Sequence, residues 1–369
     1  MIYSDVLRQS SNSILRPVDI IHDINGFIFL YMENNSENFR LRVQNLNIGF
    51  KTPDGVCNVV KNVSFHVFPG EILSLVGESG CGKSISCLSL GRLLGKNAVV
   101  EADAIEFRDR SGKISDLSKI PDRAMRKIRG RGIAYIFQEP SASLNPVFRI
   151  GDQIAEVIML HRPEVSDVKS EVIDLLRQVG IPAPEKRADA FPHELSGGMQ
   201  QRVMIAMALA GNPDVLIADE PTTALDVTIQ AQILELIDSL RKERNMAVIL
   251  VTHNLGIVAG IADRVEVMYA GLTVESGPAR RVLDDPRHPY TARLLKAVPV
   301  LGKETGRLET IPGSVASPEE FPAGCRFCGR CARYALLSAG QQKICREILP
   351  GVSEPEPGRR LFCHHPEKI

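Results

Sequence analysis

An α/β fold wound around a mostly parallel sheet is what this sequence predicts, on three observations. Short apolar runs that suit buried strands alternate with segments of helical spacing. One run, Ile72–Val76, passes directly into the Gly-rich stretch Gly77–Ser84 and then into a helical pattern. A third run, Val215–Ala218, ends in two adjacent acids, Asp219 and Glu220. With 369 residues, 44% of them apolar and 24% charged, the chain has material for a large core in two or three structural units.

Each element follows from its local pattern. Residues 1–39 are polar, with an Asn/Glu/Ser stretch from Glu33 to Asn38, and are expected to be a poorly ordered extension. Leu41, Val43, Ile48 and Phe50 read as strand before the turn Thr52–Gly55, and Val63, Phe65 and Val67 alternate before Pro69-Gly70. Ile72–Val76 is a buried parallel strand, and a helix opening at Gly82 is predicted to run through Leu93 and Leu94. Ile133–Phe137 is another strand. Ile150–Leu160 and Val168–Val179 carry helical spacing, giving an α-rich insert over about 140–205, and Met199–Leu209 is a Met-rich helix. The helix Ile229–Leu240 separates the strands Val215–Ala218 and Val248–Val251. Beyond Gly277 the pattern loosens, and Pro312–Pro322 reads as a linker. Three parts result: residues 1–39, a core over 40–280, and an extension over 281–369.

Composition narrows the function classes. Lys plus Arg and Asp plus Glu both number 44, so the formal charge is zero and the cationic excess expected of a phosphate-backbone binder is missing. Nucleic acid is not an expected partner. The most apolar early stretch, Val18–Met32, is interrupted by Asp19, His22, Asp23 and Asn25, so no segment reads as spanning a bilayer. The N-terminus lacks a secretory pattern, and the chain is expected on the inner side of the cell.

Gly77-Glu78-Ser79-Gly80-Cys81-Gly82-Lys83-Ser84 fits G-x-x-x-x-G-K-[ST] in the strand-to-helix context that gives this pattern meaning. Glycines let backbone N–H groups wrap phosphate oxygens, and the following helix N-terminus favours an anion. Lys83 suits the β- and γ-phosphates of ATP, and the Ser84 hydroxyl suits Mg2+. Asp219 at a strand end suits the same ion, and Glu220 suits the attacking water. Leu195-Ser196-Gly197-Gly198-Met199 opens a second helix with a capping Ser and two open N–H groups, a second phosphate-type site in one chain. One geometric solution is that this site closes over the nucleotide of another molecule; a plain structural cap is the alternative.

In order, the phosphate loop, Gln138, the Leu-Ser-Gly-Gly-Met string, the acidic strand, Ala224-Leu225-Asp226 and His253 resemble an ATP-binding-cassette (ABC) ATPase over about Leu41–Gly277. That resemblance implies a P-loop nucleotide-binding domain with an α-helical signature subdomain, working as a head-to-tail dimer. Ser196, Gly197, Gly198 and Gln200 of one copy would face the γ-phosphate held by Lys83 of the other. It further implies that Gln138 senses the γ-phosphate and Mg2+, that Asp226 contacts the opposing phosphate loop, and that His253 steadies the γ-phosphate and water. Phe50 stands where the family stacks an aromatic on adenine, with Phe65 and Phe68 as competitors. Asn254 departs from the family, where Asp usually follows the His.

Longer strings are similar to the oligopeptide/dipeptide/nickel branch of bacterial importers: Phe137-Gln138-Glu139-Pro140, Ser143-Leu144-Asn145-Pro146, Ile217–Thr228, His288-Pro289-Tyr290-Thr291 and Ile311-Pro312-Gly313. The branch implies ATP-driven peptide import through two separate multi-spanning permeases, with a second ATPase subunit (identical or similar) and an extracytoplasmic solute-binding protein. The place implied is the cytoplasmic face of the bacterial inner membrane, held peripherally. Import of nickel or another small solute, and a non-transport cassette ATPase, are the alternatives. Five cysteines crowd the tail as C-x2-C-x2-C-x13-C-x17-C. Such a set suits zinc or an iron–sulfur cluster, with free thiols as the bland alternative. The resemblance favours a [4Fe–4S] cluster on Cys325, Cys331, Cys345 and Cys363, while Cys328 offers a different third ligand. Cys57, Cys81 and Cys87 read as a loop residue, a phosphate-loop variant and a helix packing residue.

Overall fold

A computed structural model describes residues 38–223, 225–297 and 311–367. The expected disorder of residues 1–39 falls almost wholly outside them. The described residues form one compact unit.

Two sheets organise it. The first is antiparallel: Gly55–Val67, Leu41–Thr52, Ala104–Arg108 and Ile114–Asp116 lie in that order, with Ala98–Glu101 also paired to Leu41–Thr52. The second has eight strands. Five consecutive members, Arg264–Tyr269, Ile72–Val76, Ala247–Thr252, Val215–Asp219 and, at the edge, Ile133–Ile136, are parallel neighbours in that order. Leu272–Pro278 and the hairpin Ser353–Glu356/Arg359–Leu361 extend it antiparallel at one edge. Every residue of Ile72–Val76 and Ala247–Thr252 is buried, which explains their continuous apolar text: a parallel strand covered on both faces has no polar side.

Register decides where the chemistry falls. Val76 pairs with Thr252 and Asp219 with Val251, so the strands end level with one another. Gly77, Glu220 and His253, each the next residue, therefore emerge on one edge of the sheet. Carboxyl ends of parallel strands are where such folds bind ligands.

The helical insert consists of Pro140–Ser143, Ile150–His161, Val168–Gln178, Pro184–Arg187 and Gly197–Ala210. Ile150, Ile154 and Ile158 recur at intervals of four and pack with Val172, Leu175, Leu176 and Val203 in one cluster that continues onto the sheet.

Two expectations need correction, and a group of short elements is added. The helix after the phosphate loop spans Lys83–Leu90 and stops short of Leu93 and Leu94. Gly91 ends it and Arg92 turns to a positive φ of 50°, a conformation that cannot continue a right-handed helix. The stretch after Gly277 is more regular than its composition suggests, with helices Ala279–Asp284, Pro289–Lys296 and Ala339–Glu347. The short strands Ala98–Glu101, Ala104–Arg108 and Ile114–Asp116 and the helix Asp122–Ile128 went unread, because each is too short to show a period. No described helix is long and apolar enough to cross a membrane.

Candidate functional site

The phosphate loop begins where the Ile72–Val76 strand runs out of partners. Gly77, Gly80 and Gly82 take φ of 151°, 78° and 103°. A Cβ on Gly77 would stand 2.2 Å from the Met268 carbonyl oxygen, so the loop needs glycine there for both conformation and space. Cys81 is fully buried beneath the loop, and Cys87 packs inside the following helix. Both behave as small apolar residues, and burial pushes their thiols up.

Inside this turn the Lys83 ammonium donates to the carbonyls of Gly77 at 2.8 Å and Glu78 at 3.0 Å. The Ser84 hydroxyl donates to Asp219 Oδ1 at 2.9 Å, which brings the loop hydroxyl and the strand-end carboxylate together across 135 residues of sequence. Burial raises the Asp219 pKa, opposed by that hydrogen bond and by Lys83. Hydroxyl and carboxylate oxygens form a hard donor set that fits Mg2+. Gln138 follows Ile133–Ile136 and donates from Nε2 to Glu220 Oε2 at 3.3 Å.

Glu220 is the most constrained group here. Its φ is +46°, a strained value for a non-glycine residue at a strand end. Thr223 Oγ1 donates to its Oε2 at 2.8 Å, and His253 Nδ1 lies 3.0 Å from its Oε1. Burial alone would raise the Glu220 pKa, but those two hydrogen bonds and the nearby His253 and Lys83 outweigh it and hold the carboxyl below its ordinary value. It is ionised at neutral pH. Gly77, Glu78, Ser79, Gly80, Gly82, Lys83, Ser84, Gln138, Glu220 and His253 line one open cleft of about 670 Å³. Thr223 and Leu294 line it too, and neither was singled out from sequence.

Other expected residues lie elsewhere. Ser196 caps the Gly197–Ala210 helix, accepting from the Met199 N–H at 3.4 Å, and Gly197 has open space where a Cβ would be. Gln200 donates to the Pro192 carbonyl at 2.9 Å. Asp226 caps Val227–Arg244 through the Ile229 N–H at 2.9 Å. None of Ser196, Gly197, Gly198, Gln200 and Asp226 lines the cleft of their own chain. Among the aromatic candidates, Phe65 is 2% exposed and lies in the core. Phe68 precedes the strand whose far end carries the loop. Phe50 remains half-buried on Leu41–Thr52, outside the residues that line the cleft.

The tail cysteines lie away from this cleft: Cys325, Cys328, Cys331, Cys345 and Cys363 all line one small pocket, together with Tyr334, His364 and His365. Among the described residues no three His, Cys, Asp or Glu side chains are disposed to hold one metal ion. Burial raises all five thiols, Cys325 and Cys363 to about 12.

Two tail residues touch the phosphate loop and were missed. Tyr290 accepts the Glu78 N–H at 2.9 Å, and Arg330 pairs with the Glu78 carboxylate at 2.8 Å. Local sequence offered no signal for Arg330, which lies 252 residues away from its partner.

Comparison with known proteins agrees with this geometry. Residues 60–223 match the ABC transporter family model, and residues 274–335 match the model of the oligopeptide/dipeptide transporter C-terminal region. A "Putative peptide import ATP-binding protein" of Brucella ovis is 51% identical over 300 residues, covering 79% of this chain and 89% of the relative. A protein of the same description from Brucella abortus is 48% identical over 292 residues, covering 79% and 86%. Among solved structures, a dimeric ATP-binding cassette in a post-hydrolysis state with ADP and Pi superposes with TM-score 0.56 at 27% identity, over 65% of this chain and 99% of that one. A component of an ABC transporter complex from Clostridium perfringens gives TM-score 0.53 at 27% identity, over 67% and 91%. The fold and cleft thus define an ABC-type P-loop ATPase. Within that class, the chain belongs to the ATP-binding subunits that carry the oligopeptide/dipeptide transporter C-terminal region.

Proposed function

We propose that this chain is the ATP-hydrolysing subunit that powers peptide import through a separate pair of membrane permeases. The observation that carries the reading is the convergence of the phosphate loop, Gln138, Asp219, Glu220 and His253 at one edge of the parallel sheet. The peptide assignment draws on the names of the Brucella relatives and on the C-terminal region. Nickel and other small solutes are less favoured, as is a non-transport cassette ATPase.

In this reading the backbone N–H groups of Gly77–Ser84 cradle the ATP phosphates and Lys83 moves from the loop carbonyls to the β- and γ-oxygens. Ser84, Asp219 and Gln138 hold Mg2+, which supplies charge neutralisation of the phosphates when bound. Glu220 accepts a proton from the water that attacks the γ-phosphorus as the bond to the β-phosphate oxygen breaks. His253 keeps the Glu220 carboxylate oriented. Phe50 is the residue assigned to stack on adenine, on the family resemblance of its position. Ser196, Gly197, Gly198, Gln200 and Asp226 act on the nucleotide of a second cassette, a role supported by their absence from the lining of their own cleft. The partners are then the permease pair, a second cassette and an extracytoplasmic solute-binding protein, and the subunit sits on the cytoplasmic face of the bacterial inner membrane.

In this arrangement residues 1–39 are an extension, 40–280 the cassette with its helical insert over 140–205, and 281–369 the branch-specific tail. A [4Fe–4S] cluster or Zn2+ in that tail finds support in five thiols sharing a pocket. As placed they are not a ligand set, and no step of hydrolysis runs through them. Iron, sulfide and zinc analysis of anaerobically purified protein tests the tail separately.

The decisive test of the main reading is Glu220→Gln with ATP and Mg2+. It should convert the chain to a stable dimer by light scattering, since both nucleotides are trapped without turnover. A monomer under those conditions, with ATP bound, would falsify the shared-site engine. Vesicles holding the permease pair should take up peptide, and not nickel, in an ATP-dependent manner.

A further inference from the structure

We propose that Arg330 of the tail is a positioning residue for the ATP site, neutralising Glu78 and fixing the phosphate loop in its nucleotide-ready shape. The inference rests on the ATPase reading above and extends it to a residue far outside the cassette motifs.

Glu78 is the second residue of the phosphate loop, and all its polar groups are held, each by a different element. Its carbonyl accepts from Lys83 at 3.0 Å, and its N–H donates to the Tyr290 hydroxyl at 2.9 Å. Its carboxylate accepts both arms of the Arg330 guanidinium, at 2.8 Å from Nη1 and 3.0 Å from Nη2. This is the two-pronged geometry that only arginine provides. The remaining donors of Arg330 are engaged as well: Nε on the Pro312 carbonyl at 2.8 Å, Nη2 on the Gly313 carbonyl at 3.0 Å, and Nη1 on the Tyr269 hydroxyl at 3.3 Å. The Arg330 side chain is 10% exposed, so it has one place to be.

The packing behind it is equally specific. Tyr269, Tyr290 and Phe327 form an aromatic cluster with ring centroids 4.7–5.3 Å apart. Phe327 lies on the same short loop as Arg330, and Tyr269 ends the strand beside Ile72–Val76. The tail loop is thereby fixed against the root of the phosphate loop.

Electrostatics gives the clamp its purpose. Glu78 lines the cleft that receives a polyphosphate, and an uncompensated carboxylate there would repel the ligand. Arg330 cancels that charge and draws the carboxylate toward the tail. Removing Arg330 therefore does two things, both through the Glu78 carboxylate: it releases the loop and it restores a repulsive charge.

The test is a two-by-two comparison in the full chain, using titration of a fluorescent ATP analogue with Mg2+ and thermal melts to verify folding. Arg330→Ala should raise the Kd about tenfold, the scale of one partly screened charge-assisted pair. Arg330→Lys should recover part of the loss. In the Glu78→Gln background the same Arg330→Ala change should cost less than about twofold, because there is no charge left to cancel. KM for ATP should rise with kcat nearly constant, and added salt should shrink the Arg330→Ala effect. Equal losses in both backgrounds, or no loss in either, would overturn the inference while leaving the ATPase reading intact. Failure of the unaltered chain to bind the analogue would overturn both.

Discussion

The nucleotide cleft and the cysteine pocket are both gathered from distant sequence, yet only one of them is assembled. In the cleft, Ser84 meets Asp219, and Gln138 and His253 meet Glu220, at hydrogen-bonding distance. In the tail, five thiols line one pocket without forming a three-donor site. The cleft residues sit at the ends of parallel strands whose register is locked by buried ladders, so the backbone alone delivers them. The tail cysteines sit on turns and a short helix, where nothing but their own chemistry would bring them closer.

That contrast makes four graded predictions. The largest effect falls on the cleft's chemistry: Glu220→Gln should lower ATP turnover by about 10²–10⁴ while ATP binding persists, as for loss of a general base. Steady-state phosphate release against analogue binding checks it, and retained turnover would remove Glu220 from the mechanism. Next, Gly77→Ala should abolish measurable ATP binding and lower stability by about 1–3 kcal/mol, the cost of a disfavoured φ before any clash is counted. Its Cβ would stand 2.2 Å from a backbone oxygen, that of Met268, and 2.8 Å from the buried Cys81 Sγ.

A smaller effect belongs to the joint between cleft and tail. His288 is fully buried, accepts the Tyr290 N–H at 3.0 Å, and burial lowers its pKa to about 3 from an ordinary 6.5. Below pH 6.5 the unfolded chain takes a proton that the folded chain refuses. Stability therefore falls with acidification between pH 6.5 and 3, by about 2 kcal/mol at pH 5 from this group. His288→Asn keeps a capping acceptor and should flatten that part of a denaturation profile; an unchanged profile would exclude His288 as its source. Smallest, Cys363→Ser without metal should shift stability by about 1 kcal/mol or less and turnover by less than about twofold, since no cleft contact is touched. If it abolished turnover, the separation drawn between the two regions would be wrong.

Much of the cleft was legible in the linear text because its parts have local physical causes. Gly77, Gly80 and Gly82 are glycines for the sake of a tight turn, Lys83 and Ser84 follow at fixed offsets, and Asp219 and Glu220 end an apolar run. The helical insert was legible through the spacing of Ile150, Ile154 and Ile158. The short strands between Ala98 and Asp116 were illegible, since three to five residues carry no period and their pairing partners, Leu41–Thr52 for the first two and Ala104–Arg108 for the third, lie in other segments. The end of the first helix was misjudged because Leu93 and Leu94 extend an apolar pattern past the glycine that stops it.

Sequence alone determined the wound α/β core, the phosphate loop and the acidic strand end, because hydrophobic period and turn chemistry are written within a few neighbouring residues. Tertiary structure decided which of these would meet. The +46° φ of Glu220, its clasp by Thr223 and His253, and the seating of Tyr290 and Arg330 on Glu78 all depend on strand register and burial. Those are properties of contacts up to 252 residues apart, and no local pattern of side chains encodes them.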